Sequence, residues 1–134
     1  MGRRSSPRPV VLDASAVLAY LQREPGYGRV RGALAGGGAV VASVNLAEVA
    51  GKVAARGHDA CAVVGRLEAL GLRVEGFTRA DALEAGALRA LAPWLSLGDC
   101  ACLALGRRLR APVLTADRAW ASLDLDAPEI ELLR

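Results

Sequence analysis

Val10-Val11-Leu12-Asp13-Ala14-Ser15-Ala16-Val17-Leu18 is the stretch whose reading decides the fold. Val10-Val11-Leu12 is too short and too uniformly apolar to alternate, so it reads as a strand buried on both faces. Asp13 ends it. Ala14 to Gln22 then has helical spacing, with Val17, Leu18 and Leu21 on one stripe. Strand and helix then alternate along the chain. Ala39 to Ser43 is a second apolar strand, followed by a helix from Leu46 to Arg56. Leu72 to Gly76 is a third strand. Val113-Leu114-Thr115 is a fourth, with a short helix after it from Arg118, and Ile130 to Leu133 a fifth.

Further helices span Tyr27 to Leu34 and Asp59 to Leu70. Another begins at Thr78, where Asp81 stands at capping-box spacing, carries the apolar stripe Leu83, Ala87, Leu88 and Leu91, and stops before Pro93. Leu97 to Leu109 is the most apolar helix and the one expected deepest. Short apolar strands alternating with helices give an α/β fold with a covered parallel sheet. With right-handed crossovers this is a three-layer α/β/α sandwich with a central parallel sheet of four to five short strands. Residues 1–8 are basic, contain Pro and Ser, and are expected to be flexible; 9–134 form a single domain.

The composition narrows the function. Hydrophobic residues at 53% exclude intrinsic disorder. No apolar run approaches the roughly 18 residues of a membrane span, and no secretory h-region precedes Asp13, so a cytoplasmic protein is expected. The net charge of +3 resides in Arg3, Arg4 and Arg8; the remaining 126 residues hold 14 bases and 14 acids. A broad basic face for nucleic acid is therefore not expected. Cys61, Cys100 and Cys102 are too few and too odd for a disulfide framework and read as small core residues. The single histidine, His58, reads as a solvated loop residue and removes most zinc and Ser-His-Asp readings.

In open α/β sheets the functional crevice lies at the carboxyl ends of the strands. Asp13 follows the first strand, Glu48 lies in the first turn after the second, and Asp117 follows the fourth. Asp99 opens the buried helix that returns toward the fourth strand. Each acid has an ordinary structural reading: Asp13 and Asp117 as N-caps, Asn45 with Glu48 and Ser96 with Asp99 as capping boxes. Together, four acids on one edge repel unless a cation lies between them. Oxygen ligands without His or Cys specify Mg²⁺ or Mn²⁺, the metals of phosphoryl chemistry.

These residues resemble the PIN-domain family, and most closely its VapC type, the toxin ribonucleases of toxin–antitoxin pairs. Val10 to Ala16 is similar to the family's hydrophobic run followed by D-x-S-A. Leu46-Ala47-Glu48-Val49 is similar to its second motif, Leu97 to Ala104 to its D-x-x-x-x-A helix, and Leu114-Thr115-Ala116-Asp117 to its closing T-x-D. Cys100 and Cys102 depart from the usual small or apolar residues, as does the Arg-rich start. The resemblance covers about residues 9–125. It implies a Mg²⁺- or Mn²⁺-dependent endoribonuclease in which Asp13, Glu48, Asp99 and Asp117 form the catalytic, metal-binding set, with Asp13 and Asp99 the foremost ligands. It implies that Ser15, Ser43, Asn45 and Thr115 orient carboxylates or water, that the chain forms a homodimer, and that an antitoxin covers the site.

Metal-activated water attacking an RNA phosphodiester in line would leave 5′-phosphate and 3′-hydroxyl ends. Arg118, beside Asp117, is the first candidate for an RNA phosphate contact; Arg107, Arg108 and Arg110 form a second cluster, which a helix C-terminus also favours. Three rival readings remain. A phosphorylation receiver would need adjacent acids after the first strand, where Asp13 is followed by Ala14. The others are a PIN nuclease of RNA maturation or DNA repair, and an inactive PIN-like binding module.

Overall fold

The computed structural model describes residues 7–134. Five strands, β1 (Val10–Leu12), β2 (Ala39–Ala42), β3 (Arg73–Glu75), β4 (Val113–Thr115) and β5 (Ile130–Leu132), form one sheet in the order β3-β2-β1-β4-β5. Every pairing is parallel. The helices are α1 (Ala14–Leu21), α2 (Tyr27–Ala35), α3 (Ser43–Ala55), α4 (Ala60–Ala69), α5 (Arg79–Leu91) and α6 (Leu97–Leu109). A 3₁₀ turn spans Arg118–Ser122.

The period of two along each strand builds a core on both faces. Val11, Val40 and Val113 point into a cluster with Leu88 of α5, Leu103 and Leu105 of α6, and Trp120. Leu12, Val41 and Leu114 point the other way, onto Val17 of α1, Val30 of α2, Val49 of α3 and Leu67 of α4. Fully burying a Leu or Val contributes about 1.5–3 kcal/mol; such side chains make up most of the second cluster, while alanines, Cys100, Cys102 and Trp120 fill much of the first. That double burial is why these strands carry no polar alternation. The expected α/β sandwich is therefore present, with five strands.

The chain moves outward from β1 to β2 to β3, then returns to the other side of β1 for β4 and β5. The order thus reverses between β1 and β4. Leu12 is in register with Leu114, and the Asp13 amide donates to the Leu114 carbonyl at 3.1 Å. The ends of these two strands form the crevice of the reversal.

Several expectations need correction. Helix α3 begins at Ser43 rather than Leu46, because β2 passes into it without a loop and Ala42 occupies the N-cap position with no side-chain bond. Glu48 is consequently in the second turn, and Asn45 is a helical residue rather than a cap. On α5 the buried face is Asp81, Ala85 and Leu88, while Leu83 is 61% and Leu91 73% exposed. Cys61 is exposed; Cys100 and Cys102 are buried although they point to different sides, because α6 is enclosed nearly all round. His58 is exposed between α3 and α4, as expected.

Arg3 and Arg4 lie outside the described residues. Arg8 is exposed, and its carbonyl would stand 2.2 Å from a Cβ at Gly38, so only glycine permits that approach. Among the described residues no helix is long and apolar enough to cross a membrane.

Candidate functional site

Asp13 caps α1 and is only 5% exposed. Its Oδ1 accepts from the Ala16 amide at 2.8 Å and the Ser15 hydroxyl at 2.7 Å. Its Oδ2 accepts from the Thr115 hydroxyl at 2.5 Å. Thr115 Oγ1 accepts from the Asp117 amide at 3.0 Å, and Ser15 Oγ from the Ala116 amide at 2.9 Å. Two hydroxyls thus bind the end of β1 to the end of β4. Burial pushes the Asp13 carboxyl above its ordinary value, against the pull of the Thr115, Ser15 and Ala16 bonds; the nearby charge of Asp99 adds to the rise.

Asp99 stands in the first turn of α6 in a reciprocal cap with Ser96. Its Oδ2 accepts from the Ser96 amide, and its own amide donates to Ser96 Oγ, each at 3.0 Å. Asp117 is exposed and caps the 3₁₀ turn, accepting from the Ala119 amide at 3.0 Å. The capping readings of Asp13, Asp99 and Asp117 are therefore all met. That of Asn45 with Glu48 is not.

Asn45 instead joins α3 to α6. Its Nδ2 donates to Glu48 Oε1 and to the Gly98 carbonyl, both at 3.0 Å. Its Oδ1 is buried without a hydrogen-bond partner, although the residue is only 2% exposed. The Glu48 carboxylate lies over Gly98, where a Cβ would stand 2.6 Å from Oε1. A glycine at this position lets Glu48 rest beside Asp99.

Asp13, Glu48, Asp99 and Asp117 all line one cleft of about 340 Å³, with Ser15 and Asn45. Thr115 lies directly beneath, fully buried. Cys102 lies close by within α6: burial, then the charges of Asp13, Asp99 and Glu48, push its thiol well up and leave it an inert core group. Among the described residues, no three acidic, His or Cys side chains are gathered closely enough to hold an ion as they stand. The donor chemistry nevertheless fits a hard divalent cation. It is all oxygen, it contains a buried carboxylate whose charge is uncompensated, and Asn45 Oδ1 lacks a donor.

Other expected residues lie elsewhere. Ser43 lines a separate depression with Leu46, Ala47 and Cys61 between α3 and α4. Arg118 is exposed beside Asp117 and does not line the cleft. Arg107 is paired with Glu84 and donates to the Ala127 carbonyl at 2.7 Å. Arg108 is paired with Asp81 at 3.0 Å. The cations that do line the cleft are Lys52, Arg56 and Arg134. Lys52 and Arg56 had a signal in the sequence, since Glu48, Lys52 and Arg56 stand at four-residue steps on one helix face. Gly98 had none.

A comparison with curated protein sequences gives no match. The fold is similar to that of a toxin–antitoxin complex from Klebsiella pneumoniae, with a TM-score of 0.74, 14% identity, and 93% of this chain and 98% of that chain covered. It is also similar to VapBC2 from Rickettsia felis bound to a DNA fragment from their promoter. There the TM-score is 0.69 and the identity 16%, with 92% of this chain and 97% of that chain covered. At such identities the likeness is one of fold. The sequence itself matches the PIN domain model over residues 10–125, which takes in every acid of the cleft and all but the last strand: the chain belongs to the PIN domain family.

Proposed function

We propose that the protein is a metal-dependent endoribonuclease and the toxin of a VapBC-type toxin–antitoxin pair. The observation that carries this is the meeting of Asp13, Glu48, Asp99 and Asp117 in one cleft at the reversal of strand order. Asp13, Asp99, Asp117 and Glu48 would hold Mg²⁺ or Mn²⁺, which supplies charge to the phosphate and acidity to the attacking water. Thr115 and Ser15 hold Asp13 in place through both oxygens, and Asn45 holds Glu48. Each of these bonds favours the ionised carboxylate, the form a cation needs. In-line attack by water gives 5′-phosphate and 3′-hydroxyl ends.

The similarity to toxin–antitoxin complexes supports a protein antitoxin as partner. A homodimer is supported by the large apolar side chains left exposed at Leu83 and Leu91 of α5, at Trp94 and at Leu97 of α6, which a second copy of the chain would cover. The reading as an inactive binding module draws on the capping bonds that already engage Asp13, Asp99 and Asp117. One experiment separates the two. The purified chain should cleave single-stranded or loop RNA in Mg²⁺ or Mn²⁺, and Asp13→Asn should fold yet not cleave. No cleavage by the wild type, or equal cleavage by the variant, removes the nuclease reading.

A further inference from the structure

A second cavity of about 340 Å³ adjoins the acid cleft, and the two share Leu18, Gln22, Lys52 and Arg56. Lys52 and Arg56 therefore stand on the partition between them. Both are exposed, four residues apart, Lys52 in the last turn of α3 and Arg56 at its C-cap. Among the described residues, the ion pairs engage Arg29, Arg73, Arg107 and Arg108, not Lys52 or Arg56. Two cations on the wall of an acidic cleft, unpaired with its acids, are available to an anionic ligand.

The second cavity differs in kind from the first. Its floor is apolar, built by Leu21, Val53, Val63 and Leu67, with Tyr20 in the wall and Arg66 and His58 at the rim. An apolar floor beside two cations suits a ligand with one flat apolar part and one anionic part. Continuity with the acid cleft adds that this ligand belongs to a chain with an anion at each unit, so that one unit lies over the acids and the next over the partition. A single-stranded nucleic acid meets both demands: backbone phosphates pair with basic residues, and a base entering the cavity can stack on the Tyr20 ring or the Arg66 guanidinium above the apolar floor.

We propose that Lys52 and Arg56 bind the phosphate adjoining the scissile one, and that the cavity floored by Leu21, Val53, Val63 and Leu67 takes the base of that nucleotide. This rests on the endoribonuclease reading of the acid cleft and deepens it by naming a substrate subsite. It also moves the main phosphate contact from Arg118 to α3. Lys52 is the only lysine of the chain.

The test measures both cleavage and binding of a fluorescent single-stranded RNA, with binding read by anisotropy in EDTA at several salt concentrations. Lys52→Ala and Arg56→Ala should each raise KM about tenfold and leave kcat within about a factor of two. Each should lower the salt slope of binding by about one, the signature of one lost phosphate contact. Val63→Trp, or Val63→Phe if the larger ring unfolds the domain, should fill the cavity and weaken binding while leaving the slope unchanged.

Unchanged KM and slope in both cation variants overturns the phosphate contact. Unchanged binding by the filled variant overturns the base pocket. Loss of capture of a protein partner by that variant, with RNA binding intact, assigns the cavity to the partner instead and also overturns it. A wild type that binds RNA with these responses but never cleaves it sinks the hydrolase reading and leaves the subsite standing.

Discussion

Thr115 and Asp13, 102 positions apart in the chain, share a hydrogen bond of 2.5 Å between the last residue of β4 and the first residue after β1. Asp13 is buried, so the bond lies where water cannot replace it. Thr115→Val keeps the shape and removes the donor. The variant should lose about 1–3 kcal/mol of stability, the usual cost of a buried polar group left unpaired. Thr115→Ser should retain most of it. Urea unfolding of the three proteins measures this, and a valine variant as stable as the wild type would show that the bond carries no weight.

Gly98→Ala should separate stability from function. The new Cβ meets the Glu48 carboxylate, which is the free end of a flexible side chain and can move aside. Glycine in a helix is worse than alanine by about 1 kcal/mol, so stability should hold or rise by up to that amount. Displaced from Asn45, Glu48 should no longer serve the cleft, and Mn²⁺ affinity should fall. Calorimetric titration with Mn²⁺ reads the loss; undiminished affinity would remove Glu48 from the ligand set.

Asp99→Asn should be inactive yet melt higher than the wild type in EDTA, by on the order of 1 kcal/mol. Asp99 raises the cost of ionising Asp13, and the asparagine removes that charge while its oxygen can still accept from the Ser96 amide. Added Mg²⁺ or Mn²⁺ should raise the wild-type melting point more than the variant's, because a ligand of the native state stabilises by mass action. Equal shifts in the two proteins would refute a shared metal site at Asp99.

Asp81 and Asp13 should respond to pH in opposite senses. Burial raises the Asp81 carboxyl, but its bonds from Arg108 and Thr78 outweigh this, and the net shift is below 3.8. Its contribution is present above the unfolded value and lost as pH falls through the folded one. Asp81→Asn should cost about 1.5–3 kcal/mol at pH 7, the worth of a hydrogen bond to a charged group, and the difference should shrink in acid. Asp13, held above 3.8, costs metal-free stability as pH rises from that value through its folded one. Denaturant midpoints from pH 3 to pH 7 measure both, and a gap for Asp81→Asn that stayed constant with pH would contradict the assignment.

Leu91→Asp places a charge at the most exposed of the large apolar side chains, at the end of α5. It should convert a dimer to a monomer with little loss of fold stability. Light scattering at high micromolar concentration checks it, and a monomeric wild type would already refute the dimer.

Much of this was legible because local signals and tertiary demands agreed. Helix α6 runs from Leu97 to Leu109 as its apolar pattern requires, and β4 covers Val113–Thr115. The Thr78 and Ser96 caps were plain from spacing. The start of α3 was not, since Ser43 and Val44 carry no helix signal and only the sheet dictates that β2 turns directly into the helix. The buried face of α5 was hidden because leucines occupy both faces; the choice is made by Asp81, whose partner Arg108 lies 27 positions away. The four acids could be read from strand ends, but the roles of Gly98 and Asn45 arise only where α3 crosses α6.

The strand order also sets when the cleft can exist. A chain made from its N-terminus emerges with β1, β2 and β3 able to pair first, since they are neighbours in both chain and sheet. Asp13 is then present but lacks Thr115, and Glu48 lacks the α6 turn that carries Gly98 and Asp99. Only when residues 97–117 have left the ribosome and β4 has docked against β1 do the four acids share a cleft. For most of its own translation the growing polypeptide thus lacks an assembled cleft.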